Sequence, residues 1–152
     1  MFIQINTFAY KVFIMINISR QKVFTNDNNK SINCLIRRLF TDLKRVTDLQ
    51  KPDKIYLDNT NLLYTLSPEK PEIGTVRETF FANQLASAGH QVEYAGYKSG
   101  DFRIDGDTVV EVGGADKGFN QLVGQDHSFV AADDIDSAYF RKIPLWAFGF
   151  LY

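Results

Sequence analysis

The turn Asp105-Gly106-Asp107 separates two short β-prone runs, Asp101–Asp105 and Thr108–Val112, and it limits the fold more than any other feature of the chain. Asp-Gly favours a tight hairpin because both central residues need positive φ, which these two residues tolerate. The two runs are therefore expected to pair antiparallel, and Gly113-Gly114 ends the second. Upstream, the spacing predicts a helix over 74–89. Gly74-Thr75 caps its start, with Glu78 three residues after Thr75 in capping-box spacing. Val76, Phe80 or Phe81, and Leu85 recur at helical intervals, and Gly89 stops the helix as a C′ residue. Gln91–Ala95 reads as a strand, Phe119–Val123 as a short helix and Ser128–Ala132 as another strand. The order helix, three strands, helix, strand predicts an α/β fold built on a small central sheet. The apolar end, Ile143–Tyr152, is expected to dock on the core, since an exposed patch of that size is a liability or an interface.

Before the helix the signals are shorter. Leu35–Phe40 reads as a strand or short helix, and Pro52 breaks the chain because it lacks an amide donor. Lys54–Asp58 reads as a strand, Asn59-Thr60-Asn61 as a turn before Leu62-Leu63-Tyr64, and Ser67–Pro71 as a loop. Residues 1–33 differ in kind. They hold no Gly or Pro, and twenty of the thirty-three are Phe, Ile, Asn, Lys or Tyr, which sets them apart as a divergent or non-native segment.

Composition excludes several classes. The longest clean apolar stretches, Val12–Ile16 and Pro144–Tyr152, fall short of the roughly 20 residues that a membrane span needs. Cys34 is alone, so there is no disulfide scaffold. With no secretory signal either, a cytoplasmic location is expected. No phosphate-binding loop of the G-x-x-x-x-G-K-[ST] type occurs, so neither binding nor hydrolysis of ATP is expected. Charge is split: residues 1–54 carry ten Lys/Arg against four Asp, and residues 55–152 carry seven Lys/Arg against fourteen Asp/Glu.

The chemistry-bearing residues cluster on the hairpin. Asp101 and Glu111 can face each other across it, and two converging carboxylates with a main-chain carbonyl suit Mg²⁺. Such an ion activates water and stabilises charge at a phosphate. Glu78, on the preceding helix, is a third carboxylate. The plainer reading is that acidic residues at strand ends are solvated. Tyr56, Leu57, Phe80, Phe81 and Phe119 read as packing residues, and Asp58–Asn61 as local turn chemistry. His90 and His127 have no Cys partners to make a zinc site, and Cys34 has no base near it in sequence. Arg37, Arg38, Lys44 and Arg45 form the densest basic cluster and are candidates for phosphate contacts.

The order and spacing of Glu78, Asp101 and Glu111 resemble the PD-(D/E)xK nuclease-like core. That restriction-endonuclease-like fold carries one carboxylate on a helix, one on a strand, and a Glu-x-Lys on the next strand. The resemblance implies that these three residues are its carboxylates. The lysine position holds Gly113, and Lys117 lies six residues beyond Glu111. The likeness widens with Lys51–Leu62, Ile73–Phe81, Gly100-Asp101-Phe102, Glu111–Gly114 and the closing Ile143–Trp146 and Phe148–Tyr152. Together these look like the carboxyl-terminal part of bacterial AAA-type ATPases, a domain of unknown function with a nuclease-like core. In that branch Gly113 looks usual.

The resemblance spans about residues 34–152. It leaves 1–33 unmatched, as a divergent or non-native segment, and implies the remnant of a winged-helix wing and linker over 34–66 and a nuclease-like domain over 67–152. The core is expected to be a small mixed sheet flanked by helices. The chain is expected to be a truncated, non-catalytic regulatory or partner-binding module without its motor, binding protein or DNA and needing no cofactor. One alternative is a Mg²⁺-dependent nuclease with Asp101 and Glu111 as metal ligands and Glu78 assisting. The other is a DNA-binding module using the basic front.

Overall fold

The computed structural model describes residues 52–151 and the backbone of Ile36–Leu39. The expectations for residues 1–33 and for Cys34, Lys44 and Arg45 fall outside the described residues. Strand β1 (Ile36–Leu39) pairs antiparallel with β2 (Lys54–Leu57), Ile36 opposite Leu57 and Leu39 opposite Lys54. Helices α1 (Thr60–Leu66) and α2 (Ile73–Ser87) follow. Next come β3 (Val92–Tyr94), β4 (Phe102–Ile104), β5 (Thr108–Gly113), β6 (Ser128–Ala132) and β7 (Lys142–Pro144). Single 3₁₀ segments occupy Asn120–Leu122 and Leu145–Phe150. Strands β3 to β7 form one sheet in chain order. The β3–β4 and β4–β5 pairs are antiparallel, while β5–β6 and β6–β7 are parallel, so the fold is α/β with a mixed five-stranded sheet.

The hairpin forms where the Asp-Gly signal puts it. Asp105 and Gly106 both have positive φ (52° and 76°), and Asp107 N–H donates to Ile104 C=O at 3.1 Å. Two exposed histidines flank this turn: His90 Nδ1 lies 2.7 Å from Asp105, and His127 Nδ1 lies 2.7 Å from Asp107. The α2 stop is also where the sequence placed it. Gly89 has φ 94°, its N–H reaches Ala86 C=O, and His90 N–H reaches Leu85 C=O, which satisfies the last carbonyls of the helix.

The start of α2 departs from the capping-box expectation. The helix begins at Ile73, and the Glu72 carboxylate accepts from Thr75 N–H at 2.8 Å. Backbone hydrogen bonds from Thr75 and Gly74 hold the Glu72 carboxyl below its ordinary pKa. Glu72 thus does the capping, and Glu78 is turned elsewhere. Asn59-Thr60-Asn61, expected as a turn, is the first turn of α1. Asn59 is its N-cap, and its Oδ1 accepts from Asn61 N–H at 2.7 Å.

Both faces of the sheet are covered. On one face Phe81, Ala82 and Leu85 of α2 pack with Tyr56, Phe102, Ile104, Val110, Val112, Ala131, Leu145 and Phe148. On the other, Val109, Val130 and Ala132 pack with Ala95 and Leu122. Fully burying a side chain such as Phe81 or Phe102 contributes about 2–3 kcal/mol. The carboxyl-terminal stretch divides: Leu145 and Phe148 dock on the core, while Trp146, Phe150 and Leu151 stay exposed. Pro144 ends β7 and opens the last 3₁₀ segment, whose three-residue period sends alternate aromatics outward. Among the described residues no helix is long and apolar enough to cross a membrane.

Gly100 delivers the chain into β4. Its φ is 98°, and a Cβ there would lie 2.8 Å from Val109 Cγ1 and 3.2 Å from Val110 C=O. Both the backbone conformation and the close approach demand glycine. Gly100→Ala is therefore expected to lower the unfolding free energy by about 2–4 kcal/mol in urea denaturation. A loss under about 0.5 kcal/mol, the range of neutral surface changes, would contradict this packing.

Candidate functional site

Lys54 and Tyr56 sit two residues apart on β2 and so project to the same side. Both side chains meet Glu78 of α2. Lys54 Nζ lies 3.1 Å from Glu78 Oε2 and 3.2 Å from Asp101 Oδ1, and the Tyr56 hydroxyl also donates to Glu78 Oε2. The ammonium rests over the rings of Tyr94 and Phe102, 5.2 and 5.9 Å from their centroids. Burial alone would lower the Lys54 pKa, but the charges of Glu78 and Asp101 outweigh it and hold the pKa above its ordinary value. Burial, reinforced by Glu78, pushes the Tyr56 hydroxyl upward, so it stays a proton donor.

Asp101 straddles Glu111 on β5. Its N–H donates to Val110 C=O at 2.9 Å, and its Oδ2 accepts from Val112 N–H at 2.9 Å. The hairpin register therefore brings Asp101 beside Glu111, and Glu78 joins Asp101 through Lys54. Glu111 is 1% exposed. Its Oε1 takes Lys117 Nζ at 2.5 Å and Gln121 Nε2 at 3.0 Å, while its buried Oε2 has no hydrogen-bond partner among the described residues. Burial raises the Glu111 pKa, with Asp101 adding to the rise and Lys117 opposing it.

Lys117 turns back from the loop after β5 and crosses the strand directly over Gly113. A Cβ at Gly113 would meet its Cγ and Cδ at 2.7 Å. Gly113 is thus the surface on which a lysine from the loop lies. On the adjoining side, Arg77 of α2 ties the end of β6 through Asp133 (2.9 Å) and Asp134 (3.1 Å).

This donor set does not fit a divalent cation as it stands. Asp101 uses one oxygen on Lys54 and the other on Val112 N–H, and Glu111 Oε1 is taken by Lys117 and Gln121. Among the described residues no group of three or more His, Cys, Asp or Glu side chains is placed to hold a metal. Sequence reasoning named the three carboxylates but missed Lys54, Tyr56 and Gln121. The first two lie 24 and 22 residues from Glu78, where no local spacing links them. Gln121 had one available signal, since a short helix was read over Phe119–Val123. Arg37 and Arg38 lie in β1, where the backbone alone is described.

A buried carboxylate whose pKa rises on folding costs stability once it ionises. Glu111→Gln is therefore expected to gain stability relative to the unsubstituted protein as pH rises from acid to neutral, by the part of the ionisation cost that Lys117 does not offset. The cost is absent below the ordinary value of 4.5 and grows as pH rises through the raised one. Urea unfolding of both proteins from acid to neutral pH checks this; a gap that widens toward acid would contradict it.

No known family model matches the chain, and no curated protein or solved structure matches it either.

Proposed function

We propose that the chain is a non-catalytic, nuclease-like module that works by binding a partner, of the carboxyl-terminal kind that AAA-type ATPases carry. One observation carries this reading: the acidic constellation is already neutralised from within. Lys54 and Tyr56 hold Glu78, Lys54 and a backbone amide hold Asp101, and Lys117 with Gln121 holds Glu111. A phosphodiester approaching such a site meets three carboxylates whose counter-charges are engaged, so the electrostatic stabilisation that cleavage needs is missing. The partner-binding part is supported by the exposed aromatics near the end of the chain. Tyr139, Phe140, Trp146 and Phe150 are exposed, and Trp146 meets Phe150 edge to face at 6.2 Å. Aromatic side chains of this sort are the usual anchors of protein interfaces. The setting consistent with this role is the cytoplasm, and the partner is a protein.

A second reading, a Mg²⁺-dependent nuclease acting on DNA, has one observation in its favour. Lys117 lies on Glu111 across Gly113, so a lysine is present although the strand position lacks one. Plasmid incubation with millimolar Mg²⁺ or Mn²⁺ separates the two readings. The unsubstituted chain is expected to leave supercoiled DNA intact. Cleavage that vanishes in both Asp101→Ala and Glu111→Ala would establish the nuclease; cleavage that persists in both would mark a contaminant and leave the module non-catalytic.

A further inference from the structure

The misfit between the donor set and a divalent ion has a definite cause. Lys54 does not come from the helix or the five-stranded sheet that carry the carboxylates. It comes from β2, a strand of the separate two-stranded sheet. Its ammonium stands 3.1 Å from Glu78 Oε2 and 3.2 Å from Asp101 Oδ1. These are charge-assisted hydrogen bonds, somewhat longer than the about 2.7–2.9 Å of the tightest such pairs. A Mg²⁺ ion demands oxygens at about 2.0–2.1 Å, and Ca²⁺ at about 2.3–2.6 Å. A divalent ion at those oxygens would stand against a like charge with no water between them. The two cannot share the site.

The surroundings also favour the ammonium. The faces of Tyr94 and Phe102 attract a cation with an apolar stem, whereas a hydrated divalent ion needs waters and oxygens on every side. Beyond Asp101, the neighbouring Glu111 keeps one fully buried oxygen without a partner among the described residues. An orphaned, buried carboxylate oxygen is costly to maintain, and it lies beside Asp101, the residue that Lys54 occupies.

We propose that Lys54 is a resident cation, its ammonium standing where a divalent ion would otherwise bind between the carboxylates, and that β2 is the plug that brings it there. This rests on the non-catalytic reading above and gives it a cause: the site is closed by a tethered charge rather than stripped of its ligands. Tyr56, on the same strand, is the second contact of the plug, since it is buried in the core and donates to Glu78.

The test is a gain of function in the full chain. Mn²⁺ binding is followed by the loss of the free-ion electron paramagnetic resonance signal. It is measured for the unsubstituted protein, Lys54→Met, Lys54→Gln, Lys70→Met and Lys54→Met/Asp101→Asn. The unsubstituted chain and Lys70→Met, which removes an exposed charge elsewhere, are expected to show no saturable binding. Lys54→Met and Lys54→Gln are expected to bind a single Mn²⁺ saturably, at least about tenfold more tightly than any residual association of the unsubstituted chain, a factor of ten being about 1.4 kcal/mol. Adding Asp101→Asn is expected to abolish the gain. Lys54→Gln keeps a polar group at the position and serves if Lys54→Met does not fold. Equal Mn²⁺ affinity with and without Lys54 overturns the proposal, as does failure of a folded Lys54 variant to bind. The outcomes stay separable from those of the function test. A chain that binds no Mn²⁺ after the substitution and cuts no plasmid loses the plug but keeps the non-catalytic reading. A chain that cuts plasmid with Lys54 in place loses both.

Discussion

The ammonium of Lys54, held between Glu78 and Asp101, is the contact on which the rest of the arrangement turns. It joins three elements: β2 of the small sheet, helix α2, and the residue that enters β4. Its net contribution to stability is small, because taking partly buried charges out of water offsets most of their attraction. What it supplies is position. Tyr56 provides the apolar burial that holds β2 against the sheet, in contact with Phe102 at 5.6 Å between centroids. Lys54, on the same side of the strand, adds a polar tie to α2 and to the entry of β4. Apolar packing holds the layers together, and the ion pair adds a directional contact between them.

The parts of this architecture that were legible in the sequence are those governed by local backbone chemistry. Asp105-Gly106 and Gly89 occupy conformations that their neighbours in sequence demand, and each stands where the sequence put it. Ser128–Ala132 was read as a strand because a short apolar run flanked by polar turns has few other uses. The start of α2 was misread for a physical reason. Thr75 and Glu78 satisfy the capping-box spacing, yet Glu72 has the same chemistry and stands one turn earlier, so it wins the amide. The strand β7 and the turn before it were not seen, because Tyr139 to Pro144 carry no alternation. Phe140 even takes φ 50°, a value a bulky residue rarely adopts. Of the site, the carboxylates were legible through their order along the chain. Their counter-ions were not, because nothing in a sequence states which lysine crosses 47 residues to reach Asp101.

Gly113 matters through a residue outside its own strand. By itself a glycine brings no charge to Glu111. In the folded chain it makes room for the stem of Lys117, whose Cγ and Cδ lie 2.7 Å from where a Cβ would stand. The charge reaches Glu111 from a different point on the backbone. Position and charge have been separated: β5 keeps its ladder to β6 through Gly113, and the cation rides on a loop. The cost is borne at Glu111, whose second oxygen has no partner among the described residues and whose pKa is raised by burial.

Tethered ammonium groups and a free divalent ion neutralise carboxylates in different ways, and the difference governs how such a site can respond. A divalent ion comes and goes with its concentration and brings water that it can activate. An ammonium on its own chain arrives with the fold, carries no activated water, and leaves only if its strand moves. Two of them here face three carboxylates, so the site is nearly balanced without any component from solution. Because Lys117 sits on a loop anchored in the same sheet as Glu111, its release would require little more than a side-chain rotation. Lys54 is different, since its strand belongs to the other sheet and is also pinned by Tyr56 in the core. The balance of the whole constellation is therefore mechanically coupled to where β2 lies, and any event that draws β2 away exposes Glu78 and Asp101 together.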